Sequence, residues 1–302
     1  MRVYTHPDCL GHAPGEGHPE SPARLAAVTS ALRDALPGLE WADAPLASAA
    51  MIERAHAPTL VAAILAAAGQ SLRLDEDTVM SPGSAQAALR ACGAAVAAVD
   101  AVIAGETRRA FCAIRPPGHH ATGDTAMGFC LFNSVAVAAA HALAAHGLAR
   151  VAIADFDVHH GNGTQAIFEN DPRVLYLSSH QLPLYPGTGR ASEQGVGNVH
   201  NAPLAPGAGS AAFRIAWQEQ LLPALDAFAP ELVLVSAGFD GHRLDPLADL
   251  GLEAADYEWL ATALAAHADR HARGRLVSLL EGGYSLTALR ECSVAHLRGL
   301  GA

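Results

Sequence analysis

The run Val151-Ala152-Ile153-Ala154, followed at once by Asp155-Phe156-Asp157-Val158-His159-His160-Gly161-Asn162-Gly163, constrains this chain more than any other stretch. Consecutive apolar residues read as a strand buried on both faces, the mark of a parallel sheet. Open sheets of that kind take their ligands in the crevice outside the carboxyl ends of the strands. Here that end carries two carboxylates and two imidazoles. Side chains two apart on a strand share a face, so Asp155 and Asp157 point the same way, and His159 follows if the chain stays extended. Carboxylate and imidazole at that spacing suit a divalent metal of the zinc type.

The same alternation recurs along the chain. Strands are expected at residues 2–5, 111–114, 174–177, 232–235 and 276–280. Helices are expected at 22–36, 84–103, 133–146, 163–169, 211–227 and 255–272, with two short ones within 45–68 and a last one after Tyr284. Ser21-Pro22 supplies an N-cap and a first-turn proline for the earliest helix. Residues 74–83 and 185–209 read as loops, the second long enough to be functional. The pattern predicts an α/β fold: a three-layer open parallel sheet with helices on both faces and right-handed crossovers. Strands ending near Arg115, Asp155, Ser236 and Glu281 all deliver polar residues at their carboxyl ends, and one shared site accounts for them together.

With 302 residues, 51% hydrophobic, and no repeat or linker, one domain spanning 1–302 is the economical expectation. A net charge of −11 without a Lys/Arg cluster argues against nucleic-acid binding through a basic face. The alanine-rich stretch 94–104 reads as too short and interrupted to span a membrane. Five cysteines lack C-x-x-C pairing, and the first residues lack an apolar leader. Both suggest reduced thiols and a cytoplasmic location.

His119-His120, the Asp155–Gly163 run, Asp240-Gly241-His242 with Asp245-Pro246, and Gly282-Gly283-Tyr284 stand in one order along the chain. Together they resemble the zinc-dependent histone deacetylase family of the arginase/deacetylase superfamily, from about Gly17-His18-Pro19-Glu20 to Tyr284. Arg115-Pro116-Pro117-Gly118-His119-His120-Ala121 and Asn162 resemble the class II branch and its bacterial relatives, the histone deacetylase-like amidohydrolases.

That resemblance implies zinc ligated by Asp157, His159 and Asp245, with Fe²⁺ a competitor for so oxygen-rich a set. It implies proton transfer by His120, an electrostatic role for His119, and orientation of the two rings by Asn162 and Asp155 respectively. Tyr284 would hydrogen-bond the substrate carbonyl and its developing oxyanion. Gly128, Phe129 and Tyr185 would wall an acyl-lysine tunnel, Leu252 would sit at its mouth, and Asp77 would accept hydrogen bonds from the substrate backbone. His160 falls outside the ligand set. A structural K⁺ or Na⁺ site would use Asp155, Asp157, His159, Ser178 and Ser179.

The implied reaction is removal of acetyl or other acyl groups from lysine side chains of proteins or peptides. Acetylpolyamine hydrolysis on the same scaffold is the alternative, and leucine rather than glutamate at position 252 favours lysine. An arginase-type manganese ureohydrolase needs an Asp-Ala-His-x-Asp run that is absent. A non-catalytic binding module would be expected to lack at least one of Asp157, His159, Asp245, His120 and Tyr284, and all are present. Homo-oligomerisation is left open.

Overall fold

The computed structural model describes residues 1–302. Its strands are β1 (Arg2–Thr5), β2 (Glu40–Asp43), β3 (Leu72–Arg73), β4 (Val79–Met80), β5 (Arg109–Cys112), β6 (Val151–Asp155), β7 (Val174–Gln181), β8 (Val199–Leu204), β9 (Leu232–Ala237) and β10 (Leu276–Leu280). Eight of them form one sheet in the order β2-β1-β5-β10-β9-β6-β7-β8. Every neighbouring pair in it is parallel. β3 and β4 form a separate antiparallel hairpin. The central strands β6, β9 and β10 are buried along their full length, as their unbroken apolar sequences require.

The helices are α1 (Pro22–Ala35), α2 (Ala49–Ile52), α3 (Pro58–Ala66), α4 (Ser84–Ala104), α5 (Ser134–His146), α6 (Asn162–Phe168), α7 (Ser210–Ala216), α8 (Leu222–Phe228), α9 (Ala254–His271) and α10 (Leu286–Gly299). α4, α5 and α6 cover one face of the sheet, and α1, α8, α9 and α10 the other. The expected three-layer parallel architecture is therefore the one observed. From β5 the chain places β6 three positions along the sheet, then later returns to fill the gap with β9 and β10. The carboxyl ends of β5, β10, β9, β6 and β7 thereby stand side by side at the crevice where such sheets bind ligands.

Several elements differ from expectation. The edge strands β2 and β8 differ from expectation, β8 lying within the stretch 185–209 that reads as loop; β4 lies within the expected loop 74–83, and its partner β3 just before it. β7 runs on through Ser178 and Ser179 to Gln181. The helix expected over 211–227 carries a π turn at Trp217–Leu221 between α7 and α8. α4, at 21 residues and mean hydropathy 1.7, is long and apolar enough to cross a bilayer, contrary to the reading of its alanine run. Its composition serves packing instead: 67% of that apolar window is buried between the sheet and its neighbours.

Within α4, Gly93 shows how tight this packing is. A Cβ there would lie 1.9 Å from the Pro45 carbonyl oxygen. Alanine would gain up to about 1 kcal/mol of helix propensity. Overpacking against backbone costs about 1–3 kcal/mol, and here the opposing atom is not a flexible side-chain tip. Gly93→Ala is expected to lower stability despite its better propensity, read as a fall in the denaturation midpoint at unchanged m-value.

Candidate active site

β6 ends on Asp155, which is in register with Ser178 of β7 and Ser236 of β9. Past that end, side chains hold the backbone in place. Asp155 Oδ1 accepts from the Asp157 N–H (3.1 Å), and Asp157 Oδ1 accepts from the His159 N–H (2.9 Å). Asp240, just beyond the end of β9, accepts from the Val158 N–H at 2.9 Å. Asp157 Oδ2 accepts from the Gly282 N–H at 2.8 Å. Two glycines make room for these carboxylates: a Cβ on Gly238 would sit 2.0 Å from Asp157 Oδ2, and one on Gly282 the same distance from Asp240 Oδ2.

The candidate ligand atoms of Asp157, His159 and Asp240 all lie within 4.8 Å of one another. His159 Nδ1 is 3.2 Å from both Asp157 Oδ1 and Asp240 Oδ2. Two donors bound at about 2.0–2.1 Å with tetrahedral geometry stand roughly 3.3 Å apart, so this set fits a divalent ion. A second cluster does not fit as well. His141 and His146 place Nε2 at 2.7 and 2.6 Å from Asp100 Oδ1, which is direct hydrogen-bond distance. Arg54 moreover donates to His141 Nδ1.

Asp245, expected from the resemblance as the third ligand, is not in this set. Its Oδ2 accepts from the Tyr284 and Ser285 N–H groups (2.6 and 3.2 Å) and its Oδ1 from Leu247 (3.1 Å). Asp240 lies three residues past the end of β9, whereas Asp245 lies beyond a further turn and fixes the loop carrying Tyr284. The same offset misplaces the mouth residue. Leu252 is 1% exposed, packed beneath Gly241, whereas Leu247 lines the cavity.

His119 Nδ1 donates to Asp155 Oδ2 (3.0 Å), which also accepts from the Tyr176 hydroxyl (3.1 Å). His120 Nδ1 donates to Asn162 Oδ1 (2.8 Å). That bond leaves the lone pair of the neutral His120 ring on Nε2. The two rings titrate in opposite directions. Burial would lower His119, but the carboxylates of Asp157 and Asp155 outweigh it and raise the ring to about 10. Burial, together with the charges of His119 and His159, drives His120 well below the ordinary imidazole range. His120 is thus the neutral base of the pair, and His119 the charged partner.

These groups meet at a cavity of about 210 Å³ lined by Asp77, His120, Gly128, Phe129, His159, Leu184, Tyr185, Leu247 and Tyr284. Tyr185 packs edge-on to His120 (5.1 Å) and Phe129 edge-on to Tyr284 (6.0 Å). Gly128 adopts φ 58° and lies against the His120 ring, where a Cβ would be 2.6 Å from Cδ2. Phe129 itself has φ 67°, a conformation that costs a non-glycine residue about 1–3 kcal/mol. Its N–H donates to Thr78 Oγ1 (3.1 Å), tying the wall to the rim hairpin beside Asp77. His160 bonds Thr188 and Gln165 and takes no place in the ligand set.

Of the residues implied for a monovalent cation, Ser178 shares hydrogen bonding with His180 Nδ1 (2.8 Å) beside Asp155. The Ser179 hydroxyl accepts from Trp217 Nε1 (3.0 Å). Two residues at the site, Leu184 and Arg24, are absent from the sequence reading, and a third, Glu281, is placed there by sequence without a role. Leu184 lines the mouth. Arg24, buried on α1, donates to the Gly283 carbonyl (2.5 Å) and lies 4.9 Å over the Tyr284 ring. Glu281, the residue after β10, is buried, and that burial pushes its carboxyl up to about 7.

The reassignment is testable by metal analysis. Asp240→Ala is expected to lose the bound divalent metal. Asp245→Ala is expected to keep it at full stoichiometry. The reverse result would return Asp245 to the ligand set.

Comparisons with known proteins show the family and the fold. A family model described as the histone deacetylase domain matches residues 18–300. The histone deacetylase-like amidohydrolase of Pseudomonas aeruginosa is 42% identical over 94% of this chain and 77% of its own. The chloroplastic histone deacetylase 14 of Arabidopsis thaliana is 39% identical over 99% of this chain and 76% of its own. The crystal structure of the HDA15 HD domain superposes with a TM-score of 0.95 at 36% identity, covering 99% of this chain and 87% of that one. The match takes in every residue of the metal, imidazole and tyrosine constellation, and the chain belongs to the histone deacetylase family of deacetylases and amidohydrolases.

Proposed function

We propose that this protein is a zinc-dependent amidohydrolase that removes acetyl groups from lysine side chains of peptides or proteins. One observation carries the reading: the imidazole of His120, the phenol of Tyr284 and His159, a member of a set that fits a divalent ion, line one cavity together with the apolar side chains of Phe129, Leu184 and Leu247. Zinc held by Asp157, His159 and Asp240 would supply Lewis acidity to the amide carbonyl and to the attacking water. His120 takes the water proton on Nε2 and returns it to the leaving amine. Asn162 keeps that nitrogen free by accepting from the other one. His119, charged against Asp155, offsets negative charge in the transition state.

Tyr284 donates its hydroxyl to the carbonyl oxygen as it gains charge. Burial drives this phenol well above its ordinary range, so it remains a donor. Phe129 and Tyr185 enclose the methylene stem and exclude water. Ser178 and backbone oxygens near Asp155 would hold the structural K⁺ or Na⁺. Apolar contacts from Leu184 and Leu247, with Asp77 ready to accept backbone hydrogen bonds, support a peptide at the mouth. Asp77 beside Asp75 and Glu76 is the feature that favours the second reading, an acetylpolyamine whose far ammonium would pair with an acid.

Tyr284→Phe is expected to keep its metal and lose about 10²–10³ in kcat, the usual cost of one oxyanion donor. His120→Ala should lose at least as much. A Tyr284→Phe enzyme at wild-type rate would mean the carbonyl needs no donor from the protein.

For substrate choice, kcat/KM is expected to favour an acetyl-lysine peptide over N-acetylputrescine and acetylspermidine. Leu247→Glu should move that ratio roughly 2- to 5-fold toward the polyamines, the reach of a rim ion pair. Wild-type preference for the polyamines would overturn the lysine reading and leave the amidohydrolase chemistry standing.

A further inference from the structure

Glu281 is a buried carboxylate for which the chemistry above has no use. It stands at the end of β10, 1% exposed. Its Oε2 accepts from two successive backbone donors, the N–H groups of Gly118 (2.6 Å) and His119 (3.2 Å). Its Oε1 lies 3.4 Å from the Ser236 hydroxyl. Arg24 donates to the Glu281 carbonyl and not to its carboxylate. Burying a carboxylate without an ion pair is expensive, and an apolar side chain would fill the same space at less cost.

The position explains the expense. Opposite Glu281, the His119 carbonyl is held from the other side by the Thr164 N–H at 3.2 Å. The tandem-histidine backbone is therefore gripped between α6 and β10. Glu281 also lies in the same turn as Gly282, whose N–H reaches Asp157, and Tyr284, whose N–H reaches Asp245. It is the side chain by which that turn takes hold of the histidine loop. The geometry points to Glu281 as a positioning residue, a strut that holds the His119–His120 backbone in register with the turn carrying Tyr284. The role rests on the amidohydrolase reading for its kinetic consequence, but the strut itself is a statement about two backbone amides.

The test uses the full-length holoenzyme and three variants. Glu281→Ala removes the acceptor. Glu281→Gln keeps an acceptor oxygen toward Gly118 and His119 and turns its NH₂ to the Ser236 hydroxyl. Glu281→Asp retracts the carboxylate by one methylene and replaces the alanine variant if that one does not fold. Metal content, kcat and KM on an acetyl-lysine amide, and hydrogen exchange in a peptide covering residues 116–121 are measured for each.

Glu281→Ala is expected to lose about 10- to 100-fold in kcat, the scale of an ångström misplacement, with KM and metal within twofold. Its 116–121 amides should exchange at least about tenfold faster. Glu281→Gln is expected to recover kcat to within about fivefold and to restore slow exchange. Wild-type exchange and kcat in Glu281→Ala would overturn the proposal. So would a glutamine variant as slow as alanine, since charge and not acceptor geometry would then be at work. If the wild-type enzyme hydrolysed no acyl amine, the amidohydrolase reading would fall, and the exchange data would still decide the strut.

Discussion

Four carboxylates packed against one sheet edge set the terms for everything built there. Asp155, Asp157, Asp240 and Glu281 are each at most 1% exposed. Each buried, unpaired carboxylate costs several kcal/mol. Backbone N–H groups from the strand-end turns satisfy their hydrogen bonds, which requires those turns to run close over the carboxylates. That in turn requires glycine at 238 and 282. Charge is a separate demand, and the ring protons of His119 and His159, each raised to about 10, meet part of it. A divalent cation among Asp157, His159 and Asp240 would take over that compensation from His159 and displace its proton. Metal affinity at such a site rises with pH, because ligation and protonation compete for the same lone pair.

What was legible from sequence follows the strength of these constraints. The β6 run and the polar residues after it leave few alternatives, and the fold class and shared site follow from them. Strand-end carboxylates are harder to tell apart. Asp240 and Asp245 are both buried acids in one short segment, and only the folded turn shows that one faces the imidazoles while the other caps backbone amides. Leu247 and Leu252 were exchanged for the same reason, since counting along a turn does not reveal which leucine tucks under Gly241. The edge strands β2 and β8 and the β3–β4 hairpin lack an apolar run: β2, β3 and β4 are short and partly exposed, and β8 is largely buried but interrupted by His200, Asn201 and Pro203. The role of Glu281 had no local signature, because its partners lie on a loop distant in sequence.

Asp245 and Thr78 show how the loops divide their work. Asp245 ties the loop that bears Leu247 to the turn that bears Tyr284, through three backbone amides. Thr78 ties the hairpin that bears Asp77 to the strained Phe129. Wall, rim and oxyanion donor are therefore held by side chains from neighbouring loops. A change in one loop displaces groups carried by another, so substitutions at the mouth are not isolated from the chemistry below.

The cavity also limits where specificity can arise. A lysine side chain and N-acetylputrescine both present four methylenes between the amide nitrogen and the next branch or charge. On the proposed reading, burying that stem between Phe129 and Tyr185 would be worth about 0.8 kcal/mol per methylene for either substrate, roughly 3 kcal/mol in all. The apolar slot therefore supplies affinity without choosing between them. Beside it, the metal set, His120 and Tyr284 would meet the same acetamide in both cases. The substrates differ only where the stem emerges: a peptide backbone with its own donors and acceptors, or a solvated ammonium. At that level stand Leu184, Leu247 and Asp77. Two leucines offer nothing to an ammonium and shelter a peptide, while one acid offers a hydrogen-bond acceptor to either. The difference amounts to one rim interaction, so preference at this site is set by small energies acting at the mouth and not by the fit of the tunnel.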